Sequence, residues 1–127
     1  MRITVTSVWD EEAGRVGFKA EFGEGVGLWQ GHPPQVGLTY EVELSVDDVL
    51  YWQRDLAPVQ NGATPMIRVV DGGTELVGQL VEVHEDGVAV VQLGDSVVML
   101  EVDGVSVSVP VWVKVGPVHL GVYDTGV

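Results

Sequence analysis

Chemistry in this chain has to be built from carboxylates, three histidines and a few aromatic rings, because there is no cysteine. The acids gather in short clusters: Asp10-Glu11-Glu12, Asp47-Asp48 and Glu85-Asp86. Hard oxygen donors of this kind suit calcium, but none of the clusters has the D-x-D-x-D-G spacing that wraps a loop around the ion. Solvated acidic turns are therefore the expectation. Glycoside hydrolysis would use two carboxyl groups about 5 to 9 Å apart. With 19 acids in the chain some pair always qualifies, so the pattern selects none. His32, His84 and His119 form no H-x-x-x-H pair, and without cysteine no zinc site is expected. His84 falls in a turn, and His119, between Val118 and Leu120, is expected to point to solvent.

Cofactor signatures are missing as well. No Walker loop, G-x-G-x-x-G or G-x-S-x-G element occurs. Gly23-Glu24-Gly25-Val26-Gly27 is glycine-rich but sits between strand-like runs, and a phosphate cradle needs a following helix N-terminus. Those glycines read as turn or bulge residues. No metal, no cofactor and no catalytic residue is assigned.

Binding is the chemistry these residue types favour. Trp and Tyr anchor protein interfaces and line sugar or peptide clefts. Trp29 precedes the His32-Pro33-Pro34 loop, and Tyr51 and Trp52 are adjacent, so one ring of that pair faces in and the other out if they lie on a strand. With Asp47 and Asp48 beside them, Trp29, Tyr51 and Trp52 are the candidate binding residues. Trp9 and Trp112 sit at strand ends beside turns and read as structural.

Charge decides what such a surface would meet. Nineteen Asp and Glu stand against six Lys and Arg, a net charge of −13. Nucleic-acid affinity comes largely from cations that displace condensed counterions, and the six cations here are scattered. No nucleic acid and no anionic membrane is expected as a partner. A basic protein is, because the field of the chain would speed its encounter. The leading expectation is an acidic, non-enzymatic interaction module, for example an immunity or inhibitor protein that masks a cationic toxin or nuclease. The alternative is a small-ligand or carbohydrate-binding β-barrel, and an acidic-site enzyme comes third. No apolar run approaches the roughly 18 to 20 residues of a membrane span, and the N-terminus turns polar too soon for a secretory signal, which points to the cytoplasm.

The elements that must position these residues are strands. Leu38, Tyr40, Val42, Leu44 and Val46 alternate with Glu41 and Glu43, the period of a strand with one buried face. Val16, Phe18, Ala20 and Phe22 do the same against Arg15, Lys19 and Glu21. Asp47-Asp48 interrupts the long strand, and Val49–Trp52 reads as a short strand or a helical turn. Asp-Gly and Gly-Asp pairs separate the β-branched runs Leu76–Val83, Val88–Leu93, Val97–Val102 and Val105–Val109, which are hairpin signals. Two closing runs, 110–115 and 118–123, end the chain. No helical period persists over ten residues, so the fold class is all-β.

A shift of 71 residues lays FGEGVGLW over LGDSVVML and Val42 over Val113. Two similar five-stranded units, OB-like or SH3-like barrels packed together, are expected at 1–54 and 66–127, joined by a connector at 55–65. A single sandwich or barrel of nine or ten strands is the rival.

Overall fold

The computed structural model describes residues 1–60 and 62–126; Asn61, within the expected connector, and Val127 lie outside them. Eleven strands form: β1 (Arg2–Asp10), β2 (Arg15–Ala20), β3 (Gly23–Gln30), β4 (Thr39–Tyr51), β5 (Leu56–Pro58), β6 (Met66–Val70), β7 (Gly73–Val83), β8 (Val88–Leu93), β9 (Ser96–Asp103), β10 (Val111–Val118) and β11 (Leu120–Asp124). Among the described residues there is no helix, and so none long and apolar enough to cross a membrane.

The all-β expectation holds, but the ladders close one barrel. Hydrogen bonding runs β1-β2-β3-β6-β7-β8-β9-β4 and back to β1, a ring of eight strands. β5, β10 and β11 are added to it: β10 pairs β7, β5 pairs β10, and β11 lies between β3 and β4. Two packed five-stranded barrels are not what the ladders show. The reason is an exchange of closing strands. β4 begins antiparallel to β1 (Ile3 opposite Tyr40) and ends parallel to β9 (Leu50 opposite Val102). β11 crosses the other way and runs parallel to β3 (Val122 opposite Trp29).

The two meanders nonetheless repeat one register. Gly17 faces Val26, and 73 positions on Val90 faces Met99; Arg15–Leu28 and Val88–Glu101 correspond in the same way. An overlay at 71 is two residues short. Because side chains alternate with period two, it keeps the β2–β3 residues on the faces of their counterparts while misplacing their partners.

Several local expectations change. β4 starts at Thr39 and continues without a break to Tyr51. Leu38 is exposed and only Val42, Leu44, Val46 and Leu50 of that strand enter the core. Val105–Val109 forms no strand, and the expected connector contributes β5. The glycines of β3 are strand residues, not a turn. A Cβ at Gly25 would stand 2.6 Å from the Phe18 ring, and one at Gly27 2.8 Å from Val122, so both clear space for neighbours on the inner side. Gly23, at φ +137, brings β3 against Ile67 where a Cβ would overlap the carbonyl oxygen.

The interior is filled by Ile3, Phe18, Leu44, Leu76, Leu80, Leu93 and Leu120, each at most 2% exposed. The ring is thinnest at β3–β6, which share one pair, Gly23–Ile67. Fully buried Thr74 on β7 reinforces this point: its hydroxyl donates to the Val26 carbonyl (2.7 Å) and accepts from the Val26 amide (2.9 Å). Thr74→Val keeps the shape but strands both backbone groups, and should cost about 2 kcal/mol. Thr6→Val at an exposed site should stay within about 0.5 kcal/mol. Urea denaturation of both variants checks this; equal midpoints would contradict the role given to Thr74.

Candidate docking face

The outer side of β4, β9 and β11 holds exposed large apolar side chains in two groups, Val97, Met99 and Tyr123 around Ser45, and Val49 and Tyr51 beside Glu101 and Asp103. β4 presents Glu43, Ser45, Asp47, Asp48, Val49 and Tyr51; β9 presents Val97, Met99, Glu101 and Asp103; β11 presents Tyr123. Val49, Tyr51, Val97, Met99 and Tyr123 are each between 38% and 50% exposed, high for side chains of this size on a regular sheet. Their order follows from the ladders. Leu28, Gly121, Ser45, Met99 and Val90 form one lateral row, each the register partner of the next. Gly121 and Ser45 make the middle of the row shallow, and the Tyr123 ring lies over Gly121, where a Cβ would meet it at 2.7 Å.

Asp47 and Asp48 do not interrupt β4; they bulge it. From Ser45 to Val49 the chain advances four residues while β9 advances two, from Met99 to Glu101. Two surplus residues preserve the alternation, so Val49 and Tyr51 return to the outer face. Asp47, Asp48 and Val49 are consecutively exposed, as a bulge requires. The Asp47 carboxylate accepts from the Tyr123 hydroxyl (3.2 Å) and more distantly from Ser45 (3.4 Å), which positions the tyrosine ring.

Of the five candidate binding residues, the face therefore gathers Asp47, Asp48 and Tyr51. It does not gather the tryptophans. Trp29 is 6% exposed, packs edge-on to Tyr40 at 5.0 Å, and donates its indole N–H to the His32 carbonyl (2.7 Å). Trp52 is half-buried against the core. Both are inward partners of an outward neighbour, Leu28 and Tyr51. Val97, Met99 and Tyr123 escaped notice because their face is assembled from strands far apart in sequence. Val97-Val98-Met99-Leu100 is apolar on both faces, so no alternation in the sequence marks the outward pair.

The loop after β4 restrains Tyr51. Gln53 takes φ 71, which turns the chain so that Arg54 lies over the Tyr51 ring at 4.4 Å. Asp55 accepts from Arg54 (2.9 and 3.1 Å) and from the Tyr51 amide (2.8 Å). The Arg54 bonds, then the amide, hold the Asp55 carboxyl below its usual range.

Elsewhere the acids serve turns. Asp10 accepts from the Glu12 and Ala13 amides and Asp86 from that of Val88. Among the described residues no three His, Asp or Glu converge as metal ligands would. The cations are largely engaged: Arg2 with Glu41, Arg15 with the Gly72 carbonyl, Arg54 with Asp55 and Arg68 with Glu75. His119 is exposed as expected, but it lies between β10 and β11 and not within a strand.

Set against family models, curated proteins and solved structures, the chain matches none.

Because the folded-state pKa of Asp55 is depressed, its contribution is present above the unfolded-state value and is lost as pH falls through the folded-state value. The stability advantage of the parent over Asp55→Asn should thus be full at neutral pH and vanish below the ordinary carboxylate range. Urea titrations from about pH 7 to about pH 2 test it; an advantage undiminished at the acid end would contradict the assignment.

Proposed function

We propose that this chain is a non-enzymatic docking module that binds a basic protein across the outer face of β4, β9 and β11. One observation carries the reading: exposed Val49, Tyr51, Val97, Met99 and Tyr123 share that face with five carboxylates. Apolar side chains supply contact area and desolvation, while the carboxylates select a cationic partner and repel acidic ones. A sheet face has its backbone already paired, so affinity comes from side chains rather than from an added strand. The net charge of −13 extends the attraction beyond contact distance. An inhibitor or immunity protein covering a cationic enzyme remains the concrete form this reading favours.

The small-ligand or carbohydrate alternative has less support. It calls for aromatic stacking surfaces, and Trp29 and Trp52 are turned toward the core. A ligand held in the barrel would compete with the Phe18, Leu44, Leu80 and Leu93 side chains that occupy it.

The partner can be captured from native lysate, eluted by salt and then studied pure. Its association rate should fall at least about tenfold between about 0.1 M and about 1 M salt, as the screening length shortens from about 10 Å to about 3 Å. The double substitution Met99→Ser/Tyr123→Ser should weaken binding by about 2 kcal/mol, and Val69→Ser on β6 by less than about 0.5 kcal/mol. A salt-independent association rate, or full binding by the double variant, would remove this reading.

A further inference from the structure

At the end of β3, one strand away from Tyr123, the β1–β2 turn and the loop after β3 face each other across a cleft of about 600 Å³. Val8, Ala13, Pro33 and Pro34 line it, Trp29 backs it, and Glu11 and Glu12 stand at one side. Both walls are braced. Asp10 caps the turn through the Glu12 and Ala13 amides at 3.1 and 3.2 Å. The Trp29 amide donates to the Gly14 carbonyl (2.7 Å) and its indole to the His32 carbonyl (2.7 Å), which ties turn, strand and loop together. The cleft is therefore formed before anything enters it.

Its chemistry is two-sided. Val8, Ala13, Pro33 and Pro34 make part of the wall apolar, while the carboxylates, Gln30 and backbone groups make the rest polar. The only ionisable groups among the lining residues are Glu11 and Glu12, both exposed, and neither has an ion-pair partner among the described residues. Aliphatic side chains beside free carboxylates match a lysine or arginine side chain, whose methylene stem prefers apolar surface and whose head prefers a carboxylate. An acidic side chain would be repelled, and a short neutral one would leave the carboxylates unused.

The position of the cleft completes the argument. Gln30, on its lining, lies directly beside Tyr123 in the parallel β3–β11 ladder. The cleft thus adjoins the docking face. We infer that it receives one lysine or arginine side chain of the partner seated on β4, β9 and β11, with the stem along Val8, Ala13 and the two prolines and the charged head at Glu11 and Glu12. This inference rests on the docking reading for the source of that side chain, but its test needs no partner.

The test is a ¹⁵N–¹H NMR titration of the whole chain with Nα-acetyl-arginine amide, Nα-acetyl-lysine amide and uncharged Nα-acetyl-norleucine amide. The cationic probes should produce saturable shifts at the Trp29 indole and at the amides of Gly14 and Gly31. Norleucine amide should bind about tenfold more weakly, and the exposed-site double variant Glu11→Gln/Glu12→Gln should weaken the cationic probes about tenfold while keeping the parent spectrum elsewhere. Equal binding of norleucine amide, undiminished binding to the double variant, or unsaturable shifts spread over all acidic surfaces would each overturn the cleft assignment. The outcomes separate from those of the docking face. Probes that fail while Met99→Ser/Tyr123→Ser loses the partner overturn the cleft alone. Probes that bind while that variant keeps the partner leave the cleft standing and remove the face.

Discussion

Everything in this fold depends on the pairing of β4 with strands from both ends of the chain. Its first residues close against β1, its middle carries β11, and its last residues run beside β9. β11 makes the reciprocal crossing to β3. Alone, the β1–β3 meander is a three-stranded and the β6–β9 meander a four-stranded sheet with open edges, and such edges expose unpaired amides and carbonyls. The exchange satisfies those groups across the two halves and encloses a single core. It also makes the halves interdependent, since removing either crossing strand reopens an edge in the other half.

A closed ring transmits demands to its weakest join. Between β3 and β6 that join is one residue pair, and the structure reinforces it with side chains rather than ladder bonds. Thr74 bridges both polar groups of Val26, and Glu75, 4% exposed, is neutralised by Arg68 on the adjacent strand. A buried carboxylate without that arginine would be costly, because the interior cannot solvate it. Thr74 thus stands where β3–β6 pairing ends, whereas Arg68 and Glu75 are register partners inside the regular β6–β7 ladder.

The same geometry builds the surface. Once β4 is fixed between β9 and β11, the even-numbered bulge at Asp47 and Asp48 keeps Glu43, Val49 and Tyr51 on one side, Glu43 beside Tyr123 and the other two beside Glu101 and Asp103. Cations are drawn into local partnerships, with Arg54 on Asp55 over the Tyr51 ring, Arg68 on Glu75 and Arg2 on Glu41. What is left toward solvent is mostly negative, so the electrostatic character of the face reflects the whole chain and its apolar content reflects strand order.

Much of the inner face could be read locally. Val16, Phe18, Val42, Leu44 and Val46 alternate with charged, polar or glycine residues, and a strand has only two sides, so period two alone assigns them to the core. The overall acidity and the absence of a helical period are likewise properties of composition and spacing. Partners are a different matter. Parallel ladders such as Leu44–Val98 and Val122–Trp29 join residues more than 50 positions apart with no turn to set their register, and no local pattern encodes them. That is why two small barrels could be inferred where one closed ring exists. It is also why Trp29 and Tyr51 could not be told apart. Leu28-Trp29 and Tyr51-Trp52 are apolar on both faces, so alternation is silent there. Only the arrival of β11 beside β3, and of β9 beside β4, turned Trp29 and Trp52 inward and left Leu28 and Tyr51 to solvent.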